Sequence, residues 1–270
     1  KEFPQIRMES ADSRFTCSYL VMNLVNSRSN DQNFDKQRID SFNKMFQPIM
    51  NISATMIVLP LLPKFNIFIN RFVTGSFEVE PLKKDFNIIL NSSIEEFGMN
   101  YNDEINSYLK KVLFALIDKK IANRLLTNPS RFDYESTSSW TEFLDSLQSA
   151  EFLFARQMVN CLHRAADVAT NDDLRKQLCP DLDNKLVLFL LKNYIPDQNQ
   201  QQIDIQSIEK RLGENAVDSY GPITTIEMPL PQPNNDLNNE IFKDLSKGGV
   251  QKDLIQNFPY LSKYISGPQV

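Results

Sequence analysis

The sequence is poor in the residue types from which most enzyme active sites are built. It has 270 residues, with one His, 7 Gly, 3 Cys and one Trp. A single His cannot build a multi-histidine metal site, and it allows a nucleophile–histidine pair in only one place. So few glycines leave little material for phosphate loops and dinucleotide-binding turns. These shortages predict a non-catalytic protein with no cofactor and no bound metal.

The cysteines and the charge balance set further limits. Cys17, Cys161 and Cys179 show no metal-ligand spacing, and their odd number favours free thiols in a reducing, cytoplasmic compartment. The formal net charge of -5 argues against general binding to nucleic acid or to anionic membranes. The most apolar stretch, Met56 to Phe72, is interrupted by prolines and charged residues. It therefore predicts a buried core segment, without direct membrane insertion.

What the sequence does contain is helical periodicity. Hydrophobic residues make up 41% of the chain, which is enough for a packed core, and they recur every three or four positions. The clearest stripes are Phe15, Tyr19 and Met22; Ile39, Phe42, Phe46, Ile49 and Ile52; Leu82, Phe86 and Leu90; and Ile105, Leu109, Val112, Leu116, Ile121 and Leu125. Long helices joined by short loops predict an all-α fold, an elongated multi-helix bundle.

Composition divides the chain into three segments. Residues 1–80 predict the N-terminal helices of the bundle, and residues 81–213 predict its main helical region. Residues 214–270 are rich in proline and predict an extended tail with short helices, packed on the helical body. The expected anchors of this tail are Ile223, Ile226, Met228 and Leu230.

Several polar residues fit the starts of helices. The run from Ser139 to Glu142 has the spacing of a capping box and predicts a helix that begins there. The carboxylates of Asp172, Asp173, Asp181 and Asp183 also fall at predicted helix starts, where capping and the helix dipole explain them.

His163 is the only imidazole that could act as a base. It lies within an amphipathic helix, and Cys161, two residues away, does not share its face. A structural role is therefore expected for His163. An enzyme with a site at His163 or around Asp172 is the alternative from a different functional class.

The candidate binding residues are lysines. Two pairs, nine residues apart on one predicted helix, could attract an acidic partner: Lys110, Lys111, Lys119 and Lys120. The alternative is that they are solvated side chains that keep the bundle soluble.

One order of motifs is more specific than helicity. Phe97-Gly98-Met99-Asn100 precedes a helix that ends in Asn123-Arg124-Leu125-Leu126, and a short helix around Trp140 follows. Met158 to Ala166 then leads to an acidic turn and to Leu191-Lys192-Asn193-Tyr194-Ile195-Pro196. This order resembles the dilute domain, the C-terminal part of the globular cargo-binding tail of class V myosins. The resemblance runs from about Lys83 to Leu212.

The resemblance implies a function based on binding. Dilute domains receive cargo adaptor proteins and small GTPases on vesicles or organelles, and they belong to a motor heavy chain that moves on the actin cytoskeleton. A helical subunit of a vesicle-tethering complex is the alternative, because such subunits are similar in fold. A light-chain-binding neck and coiled-coil heptads upstream would indicate a motor, whereas further helical bundles would indicate a tether.

Overall fold

The computed structural model describes residues 15, 18, 19, 21 and 22 and the ranges 36–98, 103–147, 152–197 and 202–224. Of these residues, 79% are helical and none lies in a strand, so the predicted all-α, multi-helix fold is confirmed. Cys17 and the tail anchors Ile226, Met228 and Leu230 lie outside the described residues.

The chain divides into two units, each of which is described by itself. The first comprises Lys1–Ala54 and Leu230–Val270, and the second comprises Thr55–Pro229. Helix α1 (Lys36–Val58) begins in the first unit and ends in the second. The division of the sequence at residues 80 and 213 stays a prediction.

The described part of the first unit agrees with the helical stripe at its start. Phe15, Tyr19 and Met22 are helical and buried, and the ring centroids of Phe15 and Tyr19 lie 5.8 Å apart. In α1 the rings of Phe42 and Phe46 stack with centroids 4.3 Å apart. Aromatic pairs one helical turn apart therefore recur in this unit.

The apolar spacing of α1 does not identify its buried face. Ile49 and Ile52 are 44% and 61% exposed, and Met45, one turn before Ile49, is 60% exposed. Met50 and Ala54 are buried instead. Exposed apolar residues at steps of four and three are typical of a helix that pairs with another helix. Periodicity correctly predicts this helix, but not which of its sides is covered.

The second unit contains a 3₁₀ turn, Leu59–Phe65, followed by nine helices among the described residues. These helices are α2 (Asn66–Val73), α3 (Val79–Gly98), α4 (Asp103–Leu126), α5 (Tyr134–Ser146), α6 (Leu153–His163), α7 (Ala165–Thr170), α8 (Asp172–Leu178), α9 (Asn184–Asn193) and α10 (Ile205–Leu212). Helix α6 packs on α4, α5, α8 and α9, while α2 packs on α3 and α4. Helices α4 and α6 therefore form the centre of this unit.

The core of the second unit follows the sequence stripes. Leu82, Phe86 and Leu90 of α3 are buried, as are five of the six predicted positions of α4. Those five are Ile105, Leu109, Val112, Ile121 and Leu125. Leu116 is half-buried. Three-to-four-residue periodicity therefore predicts these buried positions well. Helix α4 is in addition buried on its other sides, for example at Leu113, Phe114 and Ile117, which the periodic pattern does not predict.

A group of aromatic rings joins α2, α3 and α5. The ring of Phe143 lies 5.4 Å from Phe72, 5.5 Å from Phe68 and 6.4 Å from Phe86, measured between centroids. The single Trp of the chain, Trp140, lies beside Phe72 and is fully buried. Its indole N–H donates to the main-chain carbonyl of Phe72 at 2.6 Å. A buried indole with a satisfied N–H is a specific packing element.

Helix α5 begins earlier than its predicted capping box. The helix starts at Tyr134, and Asp133 is its N-cap, with a carboxylate oxygen that accepts from the backbone N–H of Ser136 at 2.7 Å. The prediction of a start at Ser139 is therefore wrong. Asp133 caps the helix one turn earlier, because Asp is as good an N-cap as Ser and the residues from Tyr134 onward tolerate helical geometry. The predicted capping role of Asp183 is confirmed. Asp172 and Asp173 lie in the first turn of α8, as predicted, but the N-cap of this helix is Asn171.

One helical stretch of the described residues, Asp40–Val73, is long and apolar enough to cross a membrane by length and composition alone. Core helices of globular proteins pass the same test, and 44% of the most apolar window is buried inside the protein. Within the second unit, Phe65, Phe68 and Phe72 of this stretch are buried against the helical body. These contacts favour the predicted core role of this segment.

Candidate binding surface on helix α4

The four candidate lysines all lie on α4, but they point in different directions. Nine residues correspond to about two and a half turns of an α-helix. Lys110 is therefore on the opposite side of α4 from Lys119, and Lys111 is opposite Lys120. The four cations do not form a single patch.

The two N-terminal lysines of α4 differ in their surroundings. The ammonium group of Lys110 lies 5.7 Å from the ring centroid of Phe114, one turn later in the helix. This distance fits a cation–π contact. Lys111 is exposed. Of this pair, Lys111 is therefore the residue with more exposure to solvent.

The two C-terminal lysines of α4 contact other parts of the second unit. Lys119 donates from Nζ to the main-chain carbonyl of Thr224, and Lys120 donates from Nζ to Oδ1 of Asn66. Partial burial lowers the pKa of Lys120, because it penalises the charged ammonium. Both lysines therefore hold chain segments that are distant in sequence.

A non-helical segment, residues 214–224, follows α10; we call it the strap. The side-chain amide of Asn123, on α4, makes two hydrogen bonds to the main chain of the strap. The Ile223 N–H donates to Asn123 Oδ1 at 2.7 Å, and Asn123 Nδ2 donates to the Ile223 carbonyl at 3.2 Å. With Lys119 on the Thr224 carbonyl, α4 binds three main-chain groups of two successive strap residues. Such contacts recognise a peptide main chain largely independently of its side chains.

The strap is also attached to α9 through an aromatic residue. The hydroxyl of Tyr220 donates to Asp183 Oδ2 at 2.6 Å, and its ring lies 6.3 Å from that of Phe189. Burial first, and then the hydrogen bond to Asp183, raise the pKa of Tyr220 to about 12. Asp183 also caps α9, since its Oδ1 accepts from the Leu186 N–H at 2.7 Å. One carboxylate thus serves both the helix and the strap.

Two further polar contacts hold the beginning of the strap. The Ala216 N–H donates to a carboxylate oxygen of Glu209 at 2.7 Å, and Lys192 pairs with Asp218 at 2.7 Å. The hydrogen bond to Lys192 lowers the pKa of Asp218. Exposed polar contacts of this type contribute little individually. The strap is therefore attached by contacts that another peptide could replace.

The clefts beside these elements are small. One is lined by Asp183, Leu186 and strap residues and has a volume of about 260 Å³. Another lies against Arg211 of α10 and has a volume of about 250 Å³. Small-molecule sites usually span roughly 300–1,000 Å³. The described clefts suit the side chains of a bound peptide better than a cofactor.

Asp118 is a buried carboxylate on the inner side of α4. Its two oxygens accept from the backbone N–H groups of Phe154 and Ala155 at 2.9 and 2.7 Å, in the first turn of α6. Burial raises the pKa of Asp118 to about 6, although the two hydrogen bonds act in the opposite direction. Asp118 thus joins two central helices, at an energetic cost when it is ionised.

Replacing Asp118 with asparagine is expected to remove a pH-dependent part of the stability. Because the folded pKa of about 6 exceeds the ordinary value of 3.8, the folded protein takes up this proton before the unfolded chain does. The wild type should therefore gain unfolding free energy relative to Asp118→Asn as the pH falls from 7 to 4. The expected gain is about 2 kcal/mol, at roughly 1.36 kcal/mol per pKa unit, because at pH 4 the unfolded chain already holds part of this proton.

Urea denaturation at both pH values measures this difference. Asp173→Asn, at an exposed position of α8, is the matched control and should keep the pH dependence of the wild type. An unchanged pH dependence in Asp118→Asn would contradict the role assigned to this carboxylate.

The remaining predicted candidates lie apart from the strap contacts. His163 is half-buried at the end of α6, where its ring stacks on Tyr134 with centroids 5.7 Å apart. Cys161 and Cys179 are buried free thiols, as expected from their core positions. Among the described residues, no group of three or more His, Cys, Asp or Glu side chains is placed to hold a metal ion.

Of the residues that hold the strap, the sequence had singled out Lys119 and Asp183 for other reasons, but not Asn123. Asn123 belongs to the Asn-Arg-Leu-Leu motif, but nothing local indicates that its amide binds residue 223, because the two are 100 positions apart. The buried position of Asp118 could have been predicted from the sequence, since Asp118 shares a helix face with the buried residues Phe114, Ile121 and Leu125. An acidic residue on a core face predicts a buried hydrogen-bond partner.

Comparison with known proteins gives no match: no protein-family model, no curated protein and no solved structure is significantly similar to this chain.

Proposed function

We propose that the chain is a non-catalytic cargo-binding tail domain of an actin-based motor. It recognises adaptor proteins or small GTPases on vesicles or organelles, in the cytoplasm and in association with the actin cytoskeleton. The rest of the motor heavy chain is its covalent partner. The order of motifs from Lys83 to Leu212, which resembles the dilute domain of class V myosins, is the basis for this proposal.

The structural observation that most supports this proposal is the set of hydrogen bonds between α4 and the main chain of the strap. Asn123 binds both main-chain groups of Ile223, and Lys119 binds the next carbonyl. A helix that holds a non-helical segment in this way suits the docking of an extended adaptor peptide, which takes the place of the strap. The raised pKa values of Asp118 and Tyr220 are explained by burial, and both groups have structural partners, in the first turn of α6 and at the N-cap of α9. This fits a scaffold better than a reaction centre.

Replacing Asn123 with alanine is expected to weaken strap binding and adaptor binding together. Two hydrogen bonds to Ile223 are lost, at about 0.5–1.5 kcal/mol each. Hydrogen exchange should show the Ile223 amide about tenfold less protected than in the wild type, since tenfold corresponds to ~1.4 kcal/mol. Ser107→Ala, at an exposed position of the same helix, is the matched control and should leave this protection unchanged.

The functional test uses the same three proteins. Each is immobilised and incubated with cytosol, and the captured proteins are quantified by mass spectrometry. Wild type and Ser107→Ala should retain an organelle adaptor or a small GTPase, and Asn123→Ala should retain less. Failure of the wild type to capture either class would contradict the proposed function. Equal capture by Asn123→Ala would exclude the strap surface as the docking site.

A further inference from the structure

Two of the three cysteines meet in the core of the second unit. Cys161 lies on α6, and Cys179 is the first residue after α8. Both side chains are at least 99% buried. The Cys179 thiol donates to the main-chain carbonyl of Gln157 at 3.5 Å, and Gln157 lies one turn before Cys161 in α6. The end of α8 therefore places the Cys179 sulfur against the part of α6 that carries Cys161, although the two cysteines are 18 positions apart.

The two thiols differ in character. The interaction with the Cys161 thiol, and also the charge of Arg175, lower the pKa of Cys179, while burial opposes them. The interaction with the Cys179 thiol and then burial raise the pKa of Cys161 well above its ordinary value. Because the thiolate is the reactive form, Cys179 is the better nucleophile and Cys161 the resolving thiol.

Cys179 is also the more accessible member of the pair through local opening. It ends the two-turn helix α8 and is followed by Pro180 and Asp181, which are exposed. Short peripheral helices open locally with much lower free energies than central helices do. Cys161 lies in the middle of the second unit, on a helix that packs against five others. An oxidant therefore reaches Cys179 first.

We infer that Cys161 and Cys179 form a dithiol site that a hydroperoxide oxidises to a disulfide between α6 and the end of α8. This inference does not depend on the proposed function. The disulfide would fix α8 to α6 covalently and close a loop that contains α7 and α8. Oxidation would therefore add a covalent cross-link to the second unit, and reduction would remove it.

The chemistry proceeds in two balanced steps. In the first step, the thiolate of Cys179 attacks one peroxide oxygen and the O–O bond breaks. The departing oxygen takes up a proton and leaves as an alcohol, and Cys179 becomes a sulfenic acid. The sulfur of Cys161 then attacks the sulfur of Cys179, the S–O bond breaks, and hydroxide leaves as water with the proton of Cys161. The two thiols lose two electrons, and the hydroperoxide is reduced to an alcohol and water.

The test is a peptide map of the folded full chain after treatment with hydrogen peroxide and alkylation. Trypsin places Cys161 in the peptide 157–164 and Cys179 in the peptide 177–185. We expect these two peptides to appear joined, about 2 Da lighter than the sum of the two thiol peptides, and to separate on reduction. Oxidation in urea should give much less of this product, because the sulfur atoms are then no longer neighbours.

Two variants test the order of reaction. In Cys161→Ala, a 1,3-dione probe should trap a sulfenic acid on Cys179. In Cys179→Ala, the probe should label Cys161 at least about tenfold less than it labels Cys179 in Cys161→Ala, because the Cys161 thiol is the less ionised of the two. The inference would be overturned if the joined peptide were absent from folded wild-type protein, or if either residue paired preferentially with Cys17. Equal labelling of the two variants would also overturn it. The wild-type experiment decides the matter even where a variant fails to fold.

Discussion

Replacing Trp140 with alanine is expected to lower the free energy of unfolding of the second unit by about 3–5 kcal/mol. The indole is fully buried, with rings of Phe72 and Phe132 beside it. Its removal leaves a cavity between α2 and α5 and deprives the Phe72 carbonyl of its donor. A loss of this size is a large part of the ~5–15 kcal/mol that stabilises a typical domain.

Urea denaturation followed by circular dichroism measures this loss without relying on tryptophan fluorescence. Trp140→Phe keeps most of the ring contacts and loses the indole N–H, so it should cost about 1–3 kcal/mol. Ile88→Ala, at a position that is 58% exposed, is the control for truncating an apolar side chain and should have little effect. Equal losses for Trp140→Ala and Ile88→Ala would contradict the packing described here.

Replacing Gly75 with alanine is expected to lower the free energy of unfolding by about 2–5 kcal/mol. Gly75 follows α2 with φ of 68°, a conformation that L-residues rarely adopt. An added Cβ would lie 2.3 Å from the hydroxyl oxygen of Ser136 and 2.8 Å from its Cα. Because the Cα belongs to α5, relief of the clash requires movement of a helix.

Gly213 is a matched control for this prediction. It has almost the same φ, 69°, but no atom lies within 4 Å of the Cβ position. Gly213→Ala should therefore show only the conformational cost, about 1–2 kcal/mol. Urea denaturation of both variants separates the clash from the backbone strain. If Gly75→Ala is no less stable than Gly213→Ala, the close packing of α5 on the end of α2 is wrong.

Much of the fold could be predicted from the sequence, because helices with one buried face leave a periodic pattern. The buried positions of α3 and α4 follow this pattern closely. For α5, the capping box at Ser139 suggested the wrong start, since an equally good cap, Asp133, lies upstream. For α1, periodicity predicted the helix but not its covered side.

The contacts that define the candidate sites could not be predicted, because they join positions that are distant in sequence. Asn123 meets Ile223, Trp140 meets Phe72, and Cys161 meets Cys179 only after the helices have packed. The lysine pairs of α4 were visible in the sequence. Their partners were not, since the Lys119 contact depends on where the strap runs.

The central claim, a cargo-binding tail of an actin-based motor, is tested most directly by sequencing the transcript that encodes the chain to the start of its reading frame. If the proposal is right, we expect to find, upstream of Lys1, a motor domain with a nucleotide-binding loop, a light-chain-binding neck and coiled-coil heptads. A reading frame that contains only further helical bundles, or none of these elements, would contradict it.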